Sequence, residues 1–130
     1  MRVYLAAGPD GVRALRETGT LEAPGYVVTA AMRAADPKAD VDDLEYEAAL
    51  LAEEALREAG EPVLVVAADV PDAFEPQGDS SRIEPGPVPA SAVVSFHVAE
   101  HGAPADEELL WYDATEIDDV LRYLDEGAEQ

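Results

Sequence analysis

The segment Val63-Leu64-Val65-Val66-Ala67-Ala68 is apolar at every position. A strand with one face in water alternates apolar and polar residues, whereas an unbroken β-branched run of this length fits a strand covered on both faces. The run therefore predicts a central strand with further layers on either side. At 130 residues the chain is of ordinary single-domain size, so one core is expected to serve all of it. The 48% apolar share supplies enough burial to offset the entropy of ordering. Much of that share is alanine, which predicts a lean core.

The remaining elements are read outward from this strand. Val3-Tyr4-Leu5 predicts a first strand ended by Gly8-Pro9, with Asp10 as the cap of a helix that buries Val12 and Leu15 and closes at Gly19. Tyr26-Val27-Val28-Thr29 predicts a second strand. A long helix is expected from the cap Asp40, through Asp42 and Asp43 at its dipole-favoured end, to the stop at Gly60. At about 100° per residue, Val41, Leu44, Ala48, Leu51, Ala55 and Ala59 share a stripe, which leaves Tyr46 and Leu50 on the far side. Residues 71–89 hold five prolines (Pro71, Pro76, Pro85, Pro87 and Pro89) and read as a Pro/Gly-rich loop in which Arg82-Ile83-Glu84 can pair briefly as a sheet edge.

Beyond the loop, Val93–Val98 alternates, with Val94, Phe96 and Val98 on one face and Val93, Ser95 and His97 on the other. Leu109-Leu110-Trp111-Tyr112 predicts a further strand, and Thr115 with Asp118 forms a near capping box for a helix burying Ile117, Val120, Leu121 and Leu124. Residues 126–130 are expected to fray. The sum is an α/β (α+β) fold: one domain over 1–130, a mixed β-sheet of about five strands with about three helices packed against it.

Acidic residues number 29 against 8 basic ones, a formal net charge of -21. Polyanions gain affinity by releasing counterions to clustered Lys and Arg. Here Lys38 is the sole lysine, so neither nucleic acid nor an anionic membrane surface is an expected partner. Basic proteins and metal cations remain. The chain has no cysteine, which removes disulfides and thiolate chemistry. Its start runs directly into a strand pattern and no apolar run reaches membrane length, so a cytoplasmic location is expected.

Two constellations suggest chemistry. Asp10, Asp69, Asp72, Asp113 and Glu116 all follow predicted strands. Were those strands parallel, the carboxylates would converge on Mg2+ or Ca2+, both of which take oxygen ligands. Asp is equally a cap and turn residue, so the set also reads as caps in solvated loops. The other constellation is apolar: Tyr46 and Leu50, with Trp111 and Tyr112 on opposite strand faces, have no place in one buried stripe and suit an interface. His97 shares a face with Ser95, without the context of a catalytic triad, and His97 with His101 would suit a metal pair only on a helix. Gly8-Pro9-Asp10-Gly11 lacks both the dinucleotide-binding glycine spacing and a P-loop lysine.

Arg2-Val3-Tyr4-Leu5, Leu44-Glu45-Tyr46, Val65–Pro71, His97-Val98 and Glu108–Tyr112 together resemble a family of short, uncharacterised actinobacterial proteins known only as a domain of unknown function. Where that resemblance implies an aromatic Glu-Trp-Tyr stretch before the long helix, this chain has Ala34-Ala35-Asp36-Pro37. The resemblance implies no activity, cofactor or catalytic residue. Two functions are carried forward: a non-enzymatic interaction module taking a protein partner or a second copy as a homodimer, and a divalent-cation-dependent enzyme on a small substrate.

Overall fold

The computed structural model describes residues 1–71, 81–100 and 109–128, with side chains in the last stretch as far as Asp125. The elements run β1 (Arg2–Ala6), α1 (Gly8–Thr18), β2 (Thr20–Leu21), β3 (Gly25–Tyr26), α2 (Ala30–Ala35), α3 (Val41–Glu58), β4 (Leu64–Asp69), β5 (Arg82–Ile83), β6 (Val88–Pro89), β7 (Val93–Val98), β8 (Leu110–Asp113) and α4 (Ile117–Ala128). Single 3-10 turns precede β7 and α4. Six strands form one sheet in the order β5-β3-β1-β4-β7-β8, and β2 pairs with β6 alone.

The apolar run predicted to be central is β4, flanked by β1 and β7. Among the described residues every strand pair is antiparallel, which corrects the expectation of a mixed sheet. The reason lies in one crossover. Strands β3 and β4 both run opposite to β1 and hence parallel to each other, joined through α3 in the way helices join parallel strands. They sit on either side of β1, so the parallel pair never meets.

Two layers cover the sheet. On one face Val3, Leu5, Leu64, Val66, Ala68, Phe96 and Val98 pack with Val12 and Leu15 of α1, Val120 and Leu124 of α4, and Leu21 and Val88 of the small sheet. Burying a side chain the size of Phe96 contributes about 2–3 kcal/mol, so this face supplies most of the apolar stabilisation. On the other face Tyr4, Val65 and Ala67 pack against Ala48, Ala52 and Leu56 of α3. Alanines on both sides hold that layer thin.

Several local readings shift. Helix α1 begins at Gly8 with a proline in its first turn, so Asp10 stands inside that turn and is not the cap. Gly19 ends it in the left-handed region at φ 82°, donating its N–H to Leu15 O, as a helix-terminating glycine does. Of the second predicted strand only Tyr26 joins the sheet; Thr29 instead caps α2, its hydroxyl accepting from Met32 N at 3.1 Å. In α3 the buried stripe is Leu44, Ala48, Ala52, Glu53 and Leu56, while Val41 and Leu51 are exposed. The Arg82-Ile83 edge pairs with β3, and Val88-Pro89 forms a strand within the expected loop. Helix α4 spans Ile117–Ala128.

The alternation in β7 is broken by a bulge. Ser95 pairs with Ala67, but Ala68 pairs with Val93, so Val94 is the extra residue. A bulge inserts one position and inverts the faces beyond it. Val93 therefore enters the core beside Phe96 and Val98, while Val94 is only half-buried.

Candidate functional site

The face of the sheet under α3 can be read in rows from the register. Tyr26, Tyr4, Ala67, Ser95 and Asp113 form one row across β3, β1, β4, β7 and β8. Ala6, Val65, His97 and Trp111 form the next. Helix α3 packs over β1, β3 and β4 and leaves the β7–β8 side of these rows open. The result is a cleft of about 350 Å³, at the small end of the roughly 300–1,000 Å³ typical of ligand sites.

One wall is a helix stripe of Asp42, Glu45, Tyr46, Ala49, Leu50 and Glu53. Its spacing alternates three and one, which places all six on one side of α3. The floor and opposite wall are Tyr4, Val65, His97, Leu109 and Trp111. Two aromatic rims stand open to water: Tyr46 is 62% and Trp111 61% exposed. Among the described residues the lining carries three carboxylates and no lysine or arginine.

The polar groups of the floor are paired. Ser95, buried at 3% exposure, has its Oγ 2.8 Å from Nε2 of His97. Burial, and secondarily the positive Arg2, push the His97 imidazole below its ordinary value, so it is neutral near pH 7. Burial and the nearby Glu45 carboxylate push the Tyr4 phenol up to about 12. Glu53, 6% exposed, accepts from the Arg57 guanidinium one helical turn on. A neutral imidazole on a serine hydroxyl resembles half of a nucleophilic dyad. Among the described residues no carboxylate is hydrogen-bonded to His97 to orient it, and Ser95 is too enclosed to reach a substrate.

The acidic candidates are dispersed. Because β1 opposes β4, Asp10 lies beyond the Ala6 end of the sheet, whereas Asp69 pairs with Arg2 at the other end. Asp10 meets Arg13 at 3.4 Å, and the Asp69 carboxylate takes the Arg2 guanidinium at 2.7 Å. Asp113 and Glu116 form a capping box before α4: Asp113 Oδ1 accepts from Thr115 N at 2.9 Å, and Glu116 Oε1 accepts from Asp113 N at 2.9 Å. The box thus starts two residues before Thr115. Asp72 and His101 lie outside the described residues. Among the described residues no three His, Asp or Glu side chains are grouped to hold a metal ion; of the three strands that convergence required to be parallel, β4 and β8 both oppose β7 and share a direction, but β1 opposes β4.

Of the apolar candidates, Tyr46, Leu50 and Trp111 line the same cleft. Tyr112 does not: it pairs with Phe96 and is half-buried against the opposite core. Tyr4, Glu45 and Glu53 join the cleft without a site motif in the sequence to mark them, although the spacing 42-45-46-49-50-53 is that of one helix face. A second depression, about 550 Å³, is walled largely by alanine and by Asp10, Glu22, Glu58 and Glu61 beside Arg82, with Tyr26 as its one aromatic. None of the described helices is long and apolar enough to cross a membrane.

Residues 1–121 match the model of a family described as a family of unknown function (DUF6912), and the chain belongs to that family. No curated protein and no solved structure matches it.

Proposed function

We propose that this member of a family of unknown function is a non-enzymatic interaction module that receives a cytoplasmic protein partner in the cleft between α3 and the β7–β8 side of the sheet. The observation that carries the reading is the convergence of Tyr46, Leu50 and Trp111, from elements some sixty residues apart in sequence, on one cleft. Exposed aromatics beside a half-buried aliphatic are the usual anchors of protein interfaces. Neither ring is needed to close the core, since each stays largely in water. Solvating both rings costs free energy that a partner would recover.

The charge favours a foreign partner over a second copy. Two copies would each bring a net charge of -21 to the contact, and like fields slow encounter and weaken association. A basic protein is attracted by the same field.

The test places a photoreactive p-benzoylphenylalanine at position 46, cross-links in cells, and measures the purified partner against wild type, Trp111→Ala and Leu50→Ala. Trp111→Ala should weaken binding at least tenfold, about 1.4 kcal/mol, with its melting temperature close to wild type because the ring is exposed. A partner that binds both variants as tightly as wild type would remove the cleft from the interface, and a cross-linked homodimer would replace the foreign partner with a second copy.

A further inference from the structure

We infer that the cleft recognises an arginine side chain of its partner, with the guanidinium seated against Trp111 and Tyr46 and paired to Asp42 and Glu45. The inference rests on the cleft being the interface. Its warrant is the combination of wall chemistries, because neither acids nor aromatics alone would select this group. A guanidinium is planar and weakly hydrated, stacks on aromatic faces, and gives two parallel hydrogen bonds to a carboxylate. A cation over Trp or Tyr contributes about 0.5–2 kcal/mol, more as water is excluded.

The carboxylates stand where such a group could use them. Asp42 is exposed at the mouth, and Glu45 is half-buried beside the Tyr4 phenol. The deeper Glu53 is already taken by Arg57, so the helix wall itself shows a guanidinium held by a carboxylate of the stripe. Among the described residues the one cation near Asp42 and Glu45 is Arg2 of β1: its guanidinium is bonded to Asp69, its field also reaches Glu45 and Tyr4, and it leaves Asp42 to a guest. A partner with an aliphatic anchor would leave Asp42 and Glu45 facing apolar surface, which costs desolvation without return.

Trp111 is the chain's one tryptophan, so its fluorescence reports the cleft directly. The probes are N-acetyl-arginine methylamide and its neutral isostere N-acetyl-citrulline methylamide, titrated at fixed ionic strength into the full chain. The arginine probe should give a saturable change, and the citrulline probe one at least tenfold weaker. Asp42→Asn with Glu45→Gln should weaken the arginine response at least fivefold, while Glu17→Gln with Glu22→Gln, which removes equal charge from the α1–β2 side, should leave it within twofold. Equal responses to the two probes, a response that never saturates, or equal losses in the two double variants would each overturn the inference. The outcome is separable from the preceding proposal. A cross-linked partner that needs Trp111 but binds the Asp42→Asn, Glu45→Gln variant normally would keep the interface and reject the arginine.

Discussion

Ser95 Oγ and His97 Nε2 lie 2.8 Å apart, two residues along β7 and on the face of the sheet that lines the cleft. Strand periodicity makes the contact local, but its chemistry is set by tertiary surroundings. Burial, and secondarily the charge of Arg2, lower the imidazole's affinity for a proton, which favours a hydrogen bond between uncharged groups.

A pH dependence follows from that relationship. The His97 value is lowered on folding, so in mild acid the unfolded chain binds a proton that the folded chain resists, and stability must fall as protons are added. The contribution is intact above the ordinary histidine value of about 6.5 and is lost progressively as pH drops from there through the lowered folded value. His97→Gln keeps a hydrogen-bonding group for Ser95 and cannot titrate. Melting temperatures from pH 7.5 to pH 5 should therefore fall more steeply for wild type than for the variant. Parallel curves would show that His97 protonates as freely in the fold as outside it.

The bulge at Val94 predicts an inverted ranking of two adjacent valines. Val93 is buried in the main core and Val94 is half-buried. Val93→Ala should cost on the order of 2 kcal/mol, the lost transfer energy plus a small cavity, and Val94→Ala less than about 1 kcal/mol. Urea unfolding of the two variants decides it. The opposite ranking would mean that simple alternation through Val94, Phe96 and Val98 governs the strand.

Gly25 is fixed by contact, not by backbone conformation. A Cβ at this position would clash with Cγ2 of Val3 and lie 3.3 Å from Cδ2 of Leu5, both in the close-packed core. Gly25→Ala should destabilise by about 1–3 kcal/mol through overpacking, against the small gain alanine usually brings to a strand. Combining it with Val3→Ala should cost less than the sum of the single changes by at least about 0.5 kcal/mol. Strict additivity in a double-mutant cycle would place the strain elsewhere.

Some of this was legible in local pattern. The unbroken apolar run became β4, the Asp40 and Gly60 signals bracket α3, and the Trp111-Tyr112 dipeptide does put its rings on opposite faces. In each case the relevant free energy is set by residues a few positions apart: strand alternation, helix termini, turn formers. The acidic candidates misled for a related reason. Asp113 and Glu116 satisfy each other's backbone at a cap, and sequence spacing cannot separate a capping carboxylate from a metal-binding one when both favour the residues after a strand.

The linear chain by itself determined the main strands and helices, β1, α1, α3, β4, β7, β8 and α4, and a strongly anionic surface. Only the tertiary structure decided strand direction, the side of α3 that is buried, and the placing of Tyr46 and Trp111 on one cleft. A strand's period is the same in either direction. A helix with alanine all round can turn any of several faces inward, and the side chosen depends on what the sheet presents: Tyr4, Val65 and Ala67 draw in Ala48 and Ala52 and leave Leu51 in water. The cleft exists because α3 packs over β1, β3 and β4 and stops short of β8, a fact of three-dimensional packing.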